Sequence, residues 1–86
     1  MKSFQLQIVT PAGPFYDGTC TQLSVPAVDG EVGILADHIP LVTALKKGGV
    51  KVYTESGVRE GSCSGGLLTV SRQAVRVLAS DFQWKE

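Results

Sequence analysis

Apolar and polar residues alternate along most of this chain, and a period of two marks extended strands with one buried face. In FQLQI, Phe4, Leu6 and Ile8 take one face while Gln5 and Gln7 take the other, so the chain is expected to open with a half-buried strand. Residues 10–18, TPAGPFYDG, carry Pro11, Gly13, Pro14 and Gly18 around the pair Phe15 and Tyr16 and read as a turn region. Alternation resumes over residues 19–25, with Leu23 and Val25 inward and Gln22 and Ser24 outward. Pro26 is expected to stop that ladder, because it has no N–H to give a neighbouring strand. Residues 50–54 alternate again, and Glu55-Ser56-Gly57 predicts a compact turn into residues 58–63. Gly65-Gly66 precedes a strand over residues 67–71, and SRQA joins it to a strand over residues 75–80.

The stretch GEVGILADHIPLVTAL, residues 30–45, departs from this regularity. It is apolar at Val32, Ile34, Leu35, Ile39, Leu41, Val42 and Leu45, but Gly33 and Pro40 interrupt it, so it cannot run as one uniformly paired strand. Its second half, PLVTALKK, suits a strand better than a helix because of its Val and Thr content and the Gly-Gly that follows. Part of the stretch is expected at the surface. An exposed apolar strip carrying one histidine, His38, and a rim of acids has the composition of a protein contact. No amphipathic helix of useful length occurs, and short strands separated by Gly, Pro and Ser predict an antiparallel sandwich or barrel.

Length and charge narrow the functions open to such a fold. With 86 residues the chain makes one domain around one small core, which disfavours a deep enclosed substrate cavity. Its formal net charge is zero and its basic residues are scattered, which argues against a phosphate-tracking nucleic-acid surface. Lys46, Lys47 and Lys51 read as a solvated hairpin end. The N-terminus MKSFQLQIVT alternates instead of running apolar, so it is no secretion signal, and no apolar run reaches membrane-spanning length. A cytoplasmic or peripheral protein is expected. Cys20 and Cys63 are expected to be buried free thiols, with a bridge as the alternative, and with one histidine they cannot supply an ordinary zinc site.

Candidate chemistry does not accumulate. Asp37 and His38 adjoin, but neighbours on an extended chain point to opposite faces, so Asp37 is badly placed to orient the imidazole. SCSGG lacks the spacing of a nucleophile elbow, and KKGGVKV and SGGLLTV lead into strands where a phosphate loop needs a helix, so both glycine pairs are read as turns. Asp29 and Glu31 flank Gly30 without a third acid or a second histidine, so a solvated turn or an intermolecular contact is expected before a metal site. The lysines beside Gly48 lack the acidic or methionine-flanked tip of a carrier domain. The six aromatics are too dispersed for the stacking face of an OB-fold.

Three stretches, FQLQIVTPAGPFYDG, VPAVDGEVGILADHIPLVTALKKGGVKV and SGGLLTVSRQAVRVLASD, resemble the epsilon subunit of the F-type rotary ATP synthase in its N-terminal β-sandwich domain. The central pattern Gly-Glu-x-Gly-Ile-(x)3-His-x-Pro-Leu-x-Thr-Ala-Leu is the specific part, because no generic strand requires that mixture. The resemblance implies an all-β fold, an antiparallel β-sandwich of two five-stranded sheets, with residues 1–86 as a single domain. It implies a non-catalytic central-stalk subunit with no cofactor, metal or nucleic acid. Such a subunit binds the gamma subunit and the c-ring and couples proton or sodium translocation to ATP synthesis. Its place is peripheral, on the cytoplasmic face of the inner membrane, without insertion. By the same resemblance Glu31 corresponds to the ring-facing acid, His38 and Thr43 to gamma-facing positions, Thr10 to another gamma-side position, and Leu41 and Val42 to their apolar support. Two departures stand out. Ala36-Asp37 replaces the Pro-Gly that many members carry, and the helical hairpin by which most bacterial members bind ATP and inhibit hydrolysis is absent. Either the chain is naturally short or its regulatory half has been cut away; the ending DFQWKE favours the first, with Trp84 then expected to tuck against the sandwich.

Overall fold

The computed structural model describes residues 2–37 and 39–85, so the reading placed on His38 lies outside the described residues. Ten strands follow one another: β1 Phe4–Thr10, β2 Gly13–Cys20, β3 Gln22–Ala27, β4 Gly30–Leu35, β5 Leu41–Leu45, β6 Gly48–Thr54, β7 Gly57–Cys63, β8 Gly66–Val70, β9 Ala74–Ala79 and β10 Phe82–Trp84. Their pairing makes two sheets of five, β4-β3-β6-β7-β10 and β5-β8-β9-β1-β2. The sheets meet where Ala27 at the end of β3 pairs with Leu45 of β5. Backbone bonds from Val28 N to Ala44 O (3.0 Å) and from Lys46 N to Pro26 O (2.8 Å) flank that junction. The five-plus-five sandwich is the architecture the resemblance implied. Its ladders are antiparallel except β1–β9, which runs parallel from Gln5↔Ala74 to Val9↔Leu78.

The core lies between the sheets and is filled by alternate residues of both. Leu23, Val25, Ile34, Val50, Val52 and Phe82 project from one side, and Leu6, Ile8, Leu68, Val70, Val75 and Val77 from the other. Cys20 and Cys63 are both buried and free, as expected of small apolar side chains. Burial pushes the Cys20 thiol up to about 11, a bond from the Gln22 backbone offsetting part of this, so the thiolate is disfavoured.

Three local expectations are corrected. Residues 10–18 are not a turn region. The turn takes Pro11 and Ala12 alone, and β2 then runs as an edge strand on which Pro14 is tolerated. Its register against β1 shifts between Ile8↔Tyr16 and Val9↔Pro14, leaving Phe15 as the extra residue of a bulge. Pro26 does not stop β3. It sits where β3 leaves β6, whose last partner is Lys51 opposite Ser24, and passes to β5, so the missing N–H falls where no ladder asks for it. Gly48 and Gly49 belong to β6 rather than to a turn. A Cβ on Gly48 would stand 2.7 Å from Pro26 Cβ, so the glycine lets the two strands close over the proline.

Candidate functional site

The outer faces of the two sheets differ in character, and register shows how. On the β5-β8-β9-β1-β2 sheet, the outward residues Ala44, Leu67, Leu78, Val9 and Pro14 stand opposite one another in turn, one per strand. With roughly 4.8 Å between strands, this apolar row is roughly 19 Å long. Leu67 and Leu78 are 39% and 43% exposed, so the row is open to solvent. It borders a groove of about 370 Å³ lined by Val9, Thr10, Pro11, Gly66, Leu67 and Leu78, among others. The next outward row reads Val42, Thr69, Arg76, Gln7 and Asp17 and is polar apart from Val42, which is 63% exposed. Arg76 Nε donates to Gln7 Oε1 at 3.1 Å, which fixes the guanidinium on that row.

The outer face of the β4-β3-β6-β7-β10 sheet carries two kinds of row: Leu35, Gln22, Tyr53 and Val58 stand opposite one another in turn, with Leu35 and Val58 58% and 52% exposed, and the row beside it is charged. Lys51 stands opposite Glu60, and Ser24 lies between Lys51 and Gly33. Glu31 is exposed on β4, and its carboxylate accepts a bond from the Ser24 hydroxyl at 2.5 Å. Ser24 itself is buried, so the acid is held by a fixed donor. Glu31 borders a groove of about 310 Å³ shared with Lys46, Lys47 and Lys51, and among the described residues it makes no ion pair with them.

The residues singled out in the sequence are thus divided between two faces. Val42 projects outward beside the apolar row. Leu41 and Thr43 alternate with it and are half-buried on the inner side of β5, where the Thr43 hydroxyl finds only a long 3.5 Å contact with Ala44 O. Thr10 borders the groove next to Val9 but is 7% exposed, and its hydroxyl serves the β1–β2 turn. That hydroxyl donates to Gly13 O at 3.1 Å and accepts from Ala12 N at 3.1 Å. Glu31 lies on the opposite sheet. Leu67, Leu78, Val9 and Ala44 were missed in the sequence, although a signal was present. The segments IV, LL and VLA put apolar residues in both phases of the alternation at one end of β1, β8 and β9.

Comparison with known proteins gives the fold its family. The sequence matches the family described as ATP synthase, Delta/Epsilon chain, beta-sandwich domain, over residues 3–85. The chain belongs to that family. An ATP synthase epsilon chain of Caldanaerobacter subterraneus subsp. tengcongensis is 37% identical over 86 residues, covering 99% of this chain and 62% of the relative. One of Bacillus pumilus is 42% identical over 79 residues, covering 92% of this chain and 60% of the relative. The chain therefore spans about three fifths of the length of these epsilon chains. Among solved structures, a chain of the Euglena gracilis mitochondrial ATP synthase (OSCP/F1/c-ring) superposes with a TM-score of 0.88 at 21% identity, covering 95% of this chain and 53% of that one. A chain of the Tetrahymena thermophila mitochondrial ATP synthase central stalk and c-ring gives 0.79 at 14% identity, over 93% and 65%. At these identities the likeness establishes the delta/epsilon β-sandwich fold.

Proposed function

We propose that this chain is a non-catalytic rotor subunit of an F-type ATP synthase, placed in the central stalk between the gamma subunit and the c-ring. In that place it couples proton or sodium translocation to ATP synthesis. It works as one sandwich domain, peripheral on the cytoplasmic face of the membrane and not inserted in it. Family membership supports the reading, and the apolar row from Ala44 to Pro14 carries it. Val42 lies beside Ala44 at one end of that row and Thr10 lines the groove beside Val9, and the sequence resemblance assigns both to the gamma side. The gamma contact then comprises this row with Val42 and the part of Thr10 that lines the groove, and by the sequence resemblance also Leu41, Thr43 and His38. Glu31, held by Ser24 on the other sheet, faces the c-ring.

A rotor part must meet two partners on separate surfaces, and an apolar row on one sheet and a charged row on the other meet that requirement. The gamma contact should exceed about 1,000 Å² of buried surface to be stable. The test is titration calorimetry of the chain against the gamma subunit of the same organism. Leu67→Asp combined with Leu78→Asp is expected to weaken binding at least about 100-fold, since each places a charge in a desolvated contact. Val58→Asp, on the other sheet, is the control and should leave binding unchanged. A folded double variant that binds like the parent removes the proposed face.

A further inference from the structure

β10 has three residues and lies at the edge remote from the junction of the sheets, yet both sheets hold it. Its backbone belongs to the first sheet, through Phe82↔Cys63, Gln83↔Ser62 and Trp84↔Gly61. The Lys85 N–H extends the ladder by donating to Glu60 O at 2.7 Å. Its side chains reach the second sheet. Trp84 Nε1 donates to Phe15 O at 3.3 Å, the Trp84 ring meets Tyr16 edge-on at 6.3 Å, and the Phe82 and Phe15 rings lie 5.4 Å apart. Phe82 and Trp84 brace each other at 4.9 Å, and the Arg59 guanidinium covers the indole at 3.9 Å from its centre.

Two neighbours are adapted to receive this segment. The acceptor carbonyl belongs to Phe15, the bulged residue of β2, so a break in the β1–β2 register marks the point where the indole attaches. Gly61 leaves room, since a Cβ there would stand 2.6 Å from Phe82 Cζ and 2.7 Å from Gln83 O.

We propose that β10 is a releasable strap. Clasped by Arg59 and anchored on β2 through Trp84, it locks the sheets together at the edge remote from the Ala27–Leu45 junction. When it lifts, the sheets remain joined through β3 and β5, and the Cys63 thiol, directly opposite Phe82, opens to solvent. A three-residue edge strand held by side chains and a short ladder opens at a lower free energy than the core, so release precedes unfolding.

The test uses thiol labelling by a disulfide reagent, resolved at Cys63 by peptide mass spectrometry, across urea concentrations below the unfolding midpoint. Release through local opening gives a Cys63 rate nearly independent of urea, whereas exposure by global unfolding rises steeply with it. Gly61→Ala, which pushes Phe82 and Gln83 away, and Arg59→Gln, which removes the exposed clasp, are each expected to raise that rate at least about tenfold and to red-shift the emission of the chain's single tryptophan. Should Gly61→Ala fail to fold, Arg59→Gln at an exposed position still decides the matter. Cys63 labelling that tracks global unfolding, or a rate unchanged in the folded variants, overturns the strap.

Discussion

Thr10 and Thr54 show how one residue's work can be separated from its neighbourhood. Each ends a strand before a two-residue turn closed by a glycine, Gly13 or Gly57, at φ +132°. Thr54 repeats the Thr10 bonds, donating to Gly57 O at 3.1 Å and accepting from Ser56 N at 3.2 Å. The Thr10 hydroxyl is therefore a turn clamp, and its place beside the groove does not free it for a partner. Replacing either threonine by valine should destabilise the chain by about 1 kcal/mol in urea unfolding. Because the hydroxyl is already engaged, Thr10→Val should bind the gamma subunit as the parent does. Weaker binding in that folded variant would show the hydroxyl to be part of the contact.

Strands that bury one face cleanly, β1 and β6 above all, were legible as alternation, and so was the turn at Glu55-Ser56. β2 was hidden because an edge strand tolerates Pro14 and because its bulge at Phe15 breaks the period that alternation depends on. β3 extends past Pro26 for a tertiary reason, the change of partner from β6 to β5, which no local pattern encodes. Of the candidate site, Glu31 was legible as an exposed acid, and Val42 only as one member of an apolar stretch expected in part at the surface. The apolar residues in both phases of β1, β8 and β9 hint at the apolar row, but its members come from five strands and only register aligns them. Gly65-Gly66 was read as punctuation, but Gly66 is also the floor of the groove, with φ +148°. A Cβ there would collide with Leu78 O and approach Ala79 Cα to 2.8 Å. Gly66→Ala should therefore cost about 2–4 kcal/mol, read as a lower urea midpoint at unchanged m-value. A loss below about 0.5 kcal/mol would mean that β8 and β9 shift apart freely.

At the scale of the molecule, a sandwich with an apolar row on one outer face and a charged row on the other is a body that two partners can grip independently. The faces are separated by the packed core, and close-packed interiors resist continuous deformation, so torque applied at one face is transmitted rather than absorbed. Independence has a measurable form. Glu31→Gln removes the charge held by Ser24 and should weaken association with the c-ring while leaving gamma affinity unchanged. Leu78→Asp should do the reverse. In the double variant the two losses should add within about 0.5 kcal/mol, because the residues lie on different sheets and share no side-chain partner. Binding of the parent, both single variants and the double variant to purified gamma and to c-ring in detergent, measured separately, supplies the four affinities needed for each partner. A coupling well above that limit would mean that a change at one face reaches the other through the core, and the sandwich would then be a transmitter of conformation as well as of force.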